Sequence, residues 1–96
     1  MADILYERDG KFVDSSGIEI KLDYLELKLV EPASVISGTR TTALLPETIA
    51  RTKDDALNRC KKLKLDYFFI KATPFGSIGE DFFWQMTINY YVRKNS

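Results

Sequence analysis

The segment Glu80-Asp81-Phe82-Phe83-Trp84-Gln85-Met86-Thr87-Ile88-Asn89-Tyr90-Tyr91-Val92-Arg93 decides the fold. Its even positions from Phe82 to Val92 are all apolar or aromatic. Its odd positions mix Gln85, Thr87, Asn89 and Arg93 with two rings, Phe83 and Tyr91. Successive side chains of a strand point to opposite faces, so this two-residue rhythm predicts a long strand with its even side in the core. Burying that side is worth on the order of 10 kcal/mol gross, at about 1.5–3 kcal/mol per large side chain. Unfolded chains are already partly collapsed, which makes this an upper figure.

Upstream, Asp66 to Thr73 reads as a partner strand stopped by Pro74, with Phe75-Gly76-Ser77-Ile78-Gly79 as the turn. Before it, Thr52–Lys64 reads as a helix. Thr52 is placed to cap it, with Asp55 three residues on. Asp54 and Asp55 suit the positive end of the helix dipole, and Lys61, Lys62 and Lys64 suit the negative end. Ala56, Leu57, Cys60 and Leu63 make its apolar stripe. Pro46-Glu47-Thr48-Ile49 could extend the helix backward, although Lys53 then interrupts the stripe.

Toward the N-terminus, Ile4-Leu5-Tyr6 and Lys11-Phe12-Val13 flank Asp9-Gly10, a pair that tolerates positive φ and therefore marks a hairpin. Asp14-Ser15-Ser16-Gly17 makes a second turn. Ile18 to Val30 reads as one long strand ended by Pro32. Ile18, Ile20, Leu22 and Tyr24 alternate on even positions, whereas Leu25, Leu27 and Leu29 continue on odd ones. One extra residue near Tyr24, a β-bulge, would reconcile the two halves. Ala33 to Leu45 fits a hairpin or an irregular excursion, closed by Pro46.

Strands, one helix and a closing hairpin predict an α+β fold: an antiparallel β-sheet of about four to six strands with one amphipathic helix on one face. Ninety-six residues are too few for two cores, so residues 1–96 are expected to form a single domain.

Composition excludes several function classes. Fourteen basic residues balance fourteen acidic ones, so the global positive field that supports nucleic-acid or anionic-membrane binding is missing. Neutrality also weakens electrostatic protection against self-association. Cys60 is the only cysteine, which rules out an intrachain disulfide and any cysteine-based zinc site. The absence of histidine removes Ser-His-Asp and Cys-His catalysis. No apolar run is long enough to span a membrane, and the first residues lack a signal-peptide pattern, so a soluble, cytoplasmic protein is expected.

Five features remain as candidate sites. If Phe68, Ile70 and Ala72 face the helix, then Tyr67, Phe69, Phe83 and Tyr91 lie on the opposite face, which ought to be wet. Aromatic patches of that kind mark interfaces or ligand surfaces. The bland alternative is that residues 31–47 fold over the rings. Arg51, Lys53, Arg59, Lys61, Lys62 and Lys64 form a candidate basic patch, equally explained as a solvated helix face. Pro74 to Asp81 carries two glycines, but Glu80 and Asp81 would repel phosphate, and calcium would need more oxygen ligands. Cys60 reads as a small buried apolar residue. Glu19, Asp23, Glu26 and Glu31, interleaved with Lys21 and Lys28, read as strand ion pairs, with no two singled out as an acid–base couple.

Asp66-Tyr67-Phe68-Phe69 behind a helix, followed by Gln85-Met86-Thr87-Ile88, resembles the helix-strand-strand half of the dodecins over about the last 45 residues. That resemblance implies an oligomeric shell that binds flavin. The chain departs from the family where a flavin-stacking tryptophan would follow the helix: Tyr67 stands there, and Trp84 lies on the other strand. The RNA-binding signature of aromatic-bearing sheets is also missing from Tyr67-Phe68-Phe69-Ile70-Lys71. The expectation is therefore a non-catalytic interaction or assembly module without a cofactor. Its partner is expected to be itself or another protein. The alternative is a protein that binds a flavin-like or aromatic small molecule.

Overall fold

The computed structural model describes residues 2–36, 46–79 and 81–94. Among these residues six strands and one α-helix appear in the order β1 (Asp3–Arg8), β2 (Lys11–Val13), β3 (Glu19–Ile20), β4 (Leu25–Ile36), α1 (Pro46–Leu63), β5 (Tyr67–Ile78) and β6 (Asp81–Arg93). The strands form one sheet in the order β3-β2-β1-β5-β6-β4. This is an α+β fold with a mostly antiparallel sheet. The exception is β1, which runs parallel to β5 through Asp3↔Tyr67, Ile4↔Phe68 and Leu5↔Phe69.

The centre of the sheet is the strand legible in the sequence. β6 spans 13 residues and pairs with β5 on one side and β4 on the other. Its even residues Met86, Ile88 and Tyr90 are buried. Ile88 and Tyr90 pack with Phe68 of β5 and with Ala56 and Cys60 of α1, and Ile4, Leu29, Leu65 and Ile70 surround them. β4 and β5 run in the same direction on either side of β6, so α1 is the crossover between two strands that do not touch. A parallel connection of this kind needs a helix-length segment.

Several local readings are corrected. α1 begins at Pro46, so Thr52 lies inside the helix and does not cap it. Proline suits a first helical position because its missing N–H would be unpaired there anyway. At the far end Lys64 has φ 58, and Leu65 N–H donates to the Cys60 carbonyl at 2.9 Å. That six-to-one bond closes a Schellman turn with lysine at the left-handed position, where glycine is usual.

Ile18–Val30 is not one strand. β3 ends at Ile20, a 3-10 turn occupies Leu22–Tyr24, and β4 starts afresh at Leu25. The bulge lies further on, between Leu27 and Leu29. It leaves Leu27 opposite Tyr91 and puts Leu29 opposite Tyr90, on the other face. Neither Pro32 nor Pro74 ends its strand: β4 continues to Ile36 and β5 to Ile78. β4 is an edge strand, where a missing N–H can face solvent. Pro74 sits beside a bulge in a part of β5 that no longer pairs with β1. Both are sheet positions that proline tolerates. Phe75–Ile78 is accordingly strand, not turn. Of the candidate excursion, Ala33–Ile36 belongs to β4, and residues 37–45 lie outside the described residues.

The N-terminal ribbon follows its turn chemistry. Asp9 and Gly10 have φ 53 and 79, the double positive φ of a tight hairpin turn, and Arg8 pairs with Lys11. The Asp14 carboxylate accepts from the Ser16 and Ile18 amides at 2.9 Å each. The Asp3 carboxylate accepts from Ser15 Oγ at 2.8 Å and ties that turn back to β1.

Candidate functional site

The face of the sheet opposite α1 divides into a covered half and an open half. β2 and β3 continue the sheet past β1 and curl over the start of β5 and the end of β6. Phe12 places its ring 4.9 Å from Phe69 and 5.9 Å from Tyr91. Leu5, Leu25, Tyr67 and Tyr91 are buried there, with Phe12, Ile20 and Phe69 packed against them. The structure thus brings together three of the four candidate rings, Tyr67, Phe69 and Tyr91, in a second small core. Among the described residues, what covers them is the N-terminal ribbon together with Leu25. Phe83 lies apart, half-buried, opposite Ile36 and Gly76.

Tyr67 is 3% exposed. The Arg93 guanidinium stands 5.3 Å from its ring centroid, and Arg93 Nε donates to its hydroxyl at 3.0 Å. This is the position where the dodecin resemblance would place a flavin-stacking ring. Its face is already occupied by the protein's own side chains. A groove of about 400 Å³ does open beside the covered half, lined by Phe12, Ile20, Leu22 and Tyr91 with Glu7, Lys11, Glu19, Lys21 and Asp23 around them.

The open half is carried by β4. Leu27 lies opposite Tyr91 and Val30 opposite Asn89, so both point to the outer face. They are 50% and 47% exposed. Leu22, on the rim of the groove beside Tyr91, is 63% exposed. The sequence conceals this row, because the bulge lies between Leu27 and Leu29 and not near Tyr24, where alternation alone suggests it. The alternation Glu26-Leu27-Lys28 was visible, but the partner strand was not.

The chain matches no family model, curated protein or solved structure.

The candidate basic residues do not form one patch. At about 100° per residue, positions 51, 53, 59, 61, 62 and 64 spread around the helix. Lys53 reaches β1, its Nζ 3.4 Å from the Tyr6 hydroxyl, and Arg59 pairs with Glu31 across from β4. Arg51, Lys61, Lys62 and Lys64 are exposed.

Glu31 is the best-defined carboxylate. It accepts from Arg59 and from the Tyr90 hydroxyl, and these two donors hold it below its ordinary value of 4.5. Tyr90 is pushed well above the usual tyrosine range, first by burial and then by that carboxylate. The group ties α1, the edge strand β4 and the central strand β6 together. Its donors are spoken for, so it reads as a fastening and not as an acid–base pair. Cys60 is fully buried, and burial pushes its thiol up to about 11. A thiol in that state is a poor nucleophile. No three potential ligands converge on a metal position among the described residues. No described helix is long and apolar enough to cross a membrane.

Proposed function

We propose that this chain is a non-catalytic assembly module that pairs with a second copy of itself through the open half of its outer sheet face. The single observation that carries the reading is the pair Leu27 and Val30, each about half exposed, side by side on β4. Exposed apolar surface of this kind marks interaction sites. The charges around it favour a copy of the same chain. Glu26 and Lys28 flank Leu27 and pair at 3.1 Å. β4 is a sheet edge, and pairing it with its copy about a two-fold axis at Leu27 would set Glu26 of one copy against Lys28 of the other, which makes the edge self-complementary as an isologous interface requires. The zero net charge leaves little long-range repulsion between copies. The engaged state of Glu31 and the raised Cys60 thiol support the non-catalytic part.

Size-exclusion chromatography with light scattering tests the reading. The expected result is a mass that rises to a dimer with concentration and returns to the monomer in a Leu27→Ser/Val30→Ser variant. A monomer at every accessible concentration, or a dimer indifferent to that variant, would overturn it. Phe69 and Phe83 make poorer probes, because both are half-buried and Phe69 supports the fold through Phe12.

A further inference from the structure

A second feature lies near the helix-side face, away from the Leu27–Val30 row. β1 and β5 pair only as far as Leu5 and Phe69. Beyond that point β1 stays with β2, β5 continues along β6, and the two strands diverge. α1 lies across the opening. The result is a wedge-shaped cleft of about 360 Å³ whose lining includes Ile4, Tyr6, Ile49, Lys53, Ile70 and Ala72. That volume falls at the low end of the range small-molecule clefts occupy, about 300–1,000 Å³.

Among the described residues the wall is apolar except at the mouth. There Lys53 half-buries its chain while its ammonium approaches the Tyr6 hydroxyl at 3.4 Å. Among the described residues Lys53 has no ion-pair partner. Among the described residues, Glu7 is the one acid on the wall. Side chains alternate along a strand, so Glu7 points with Leu5 to the outer side, where it also borders the Phe12 groove. Tyr6 points with Ile4 toward the helix. The cleft therefore presents a cation and a hydroxyl at one end of an apolar slot, an arrangement complementary to a carboxylate on a compact hydrocarbon body.

We infer that this cleft binds a small amphipathic acid, an aryl or short alkyl carboxylate, with its apolar body against Ile49, Ile70 and Ala72 and its carboxylate at Lys53 and Tyr6. The site is independent of self-association, since its residues lie outside the Leu27–Val30 row.

Amide-resolved NMR titration of the whole chain with 2-naphthoate tests this. The expected result is saturable shifts at residues 4–7, 49–53 and 69–72. 2-Naphthylmethylammonium should bind at least fivefold more weakly. Lys53→Met should weaken 2-naphthoate at least fivefold while leaving the neutral 2-naphthylmethanol unchanged, and Ala72→Ile, which fills the slot, should weaken both. The wild-type titration stands on its own if a variant fails to fold. Absence of saturable shifts, shifts centred on Phe12 and Tyr91, or equal affinity for the acid and the ammonium would each overturn the inference.

Discussion

Tyr91 and Leu27 stand directly opposite one another on adjacent strands and point to the same side of the sheet, yet Tyr91 is 9% exposed and Leu27 50%. The difference comes from what each strand has above it. β2 and β3 fold back over the β5–β6 side and seal it with Phe12 and Ile20. β4 is the edge, and among the described residues nothing lies over Leu27 or Val30. Alternation sorts side chains to a face, but burial on that face depends on where the ribbon lands. A single row of residues can thus be core at one end and surface at the other.

The contrast is broken most severely from the covered side. Tyr91→Ala removes a buried ring from the second core, and large-to-small changes of this type cost about 3–5 kcal/mol. Urea unfolding should show that loss in the midpoint. A change below about 1 kcal/mol would mean that the ribbon does not seal the face. A smaller effect is expected where the open edge is fastened to the body. Glu31→Ala leaves the buried Tyr90 hydroxyl without its acceptor and should cost about 1–3 kcal/mol.

The same fastening has a pH signature. Glu31 is lowered in the folded chain by Tyr90 and Arg59, so its contribution is complete above the ordinary value of 4.5 and fades as pH falls through its lower folded value. Wild type and Glu31→Gln should therefore differ in stability at pH 6 and converge as acidification carries Glu31 through its lowered folded value, as followed by circular dichroism melts. A gap that widens in acid would contradict the assignment.

Lys64→Gly comes next in size. Lysine holds the left-handed position of the turn that delivers the chain into Tyr67 and the covered half. Relieving that conformation should raise stability by up to about 1 kcal/mol, read from the unfolding midpoint. The smallest effect is expected from Leu27→Ser in the isolated monomer. Its side chain is half in water, so the cost should stay within about 0.5 kcal/mol even as association weakens. Equal losses from Leu27→Ser and Tyr91→Ala in dilute solution would erase the distinction between the two halves.

Some of this was legible beforehand. The rhythm of β6, the Asp9-Gly10 hairpin, the Ala56–Cys60 stripe and the one-helix-on-sheet architecture follow from periods of two and of about 3.6 residues. The two prolines misled, because a proline ends a strand only where its missing N–H would face a neighbour. Pro32 on an edge and Pro74 beside a bulge escape that conflict. Alternation puts the candidate rings on the outer side, but the sequence does not show that Phe12, some 55 to 80 residues away, comes to rest on Phe69 and Tyr91.

Periodicity and turn chemistry are local, encoded in neighbours a few residues apart, and they suffice to specify which elements form and which side of each is apolar. Strand order, the parallel seating of β1 on β5, and the choice of which apolar side stays in water come from contacts between distant segments. Such contacts appear only when the chain closes on itself, and that closure left Leu27 and Val30 exposed on the edge while enclosing Tyr67 and Tyr91.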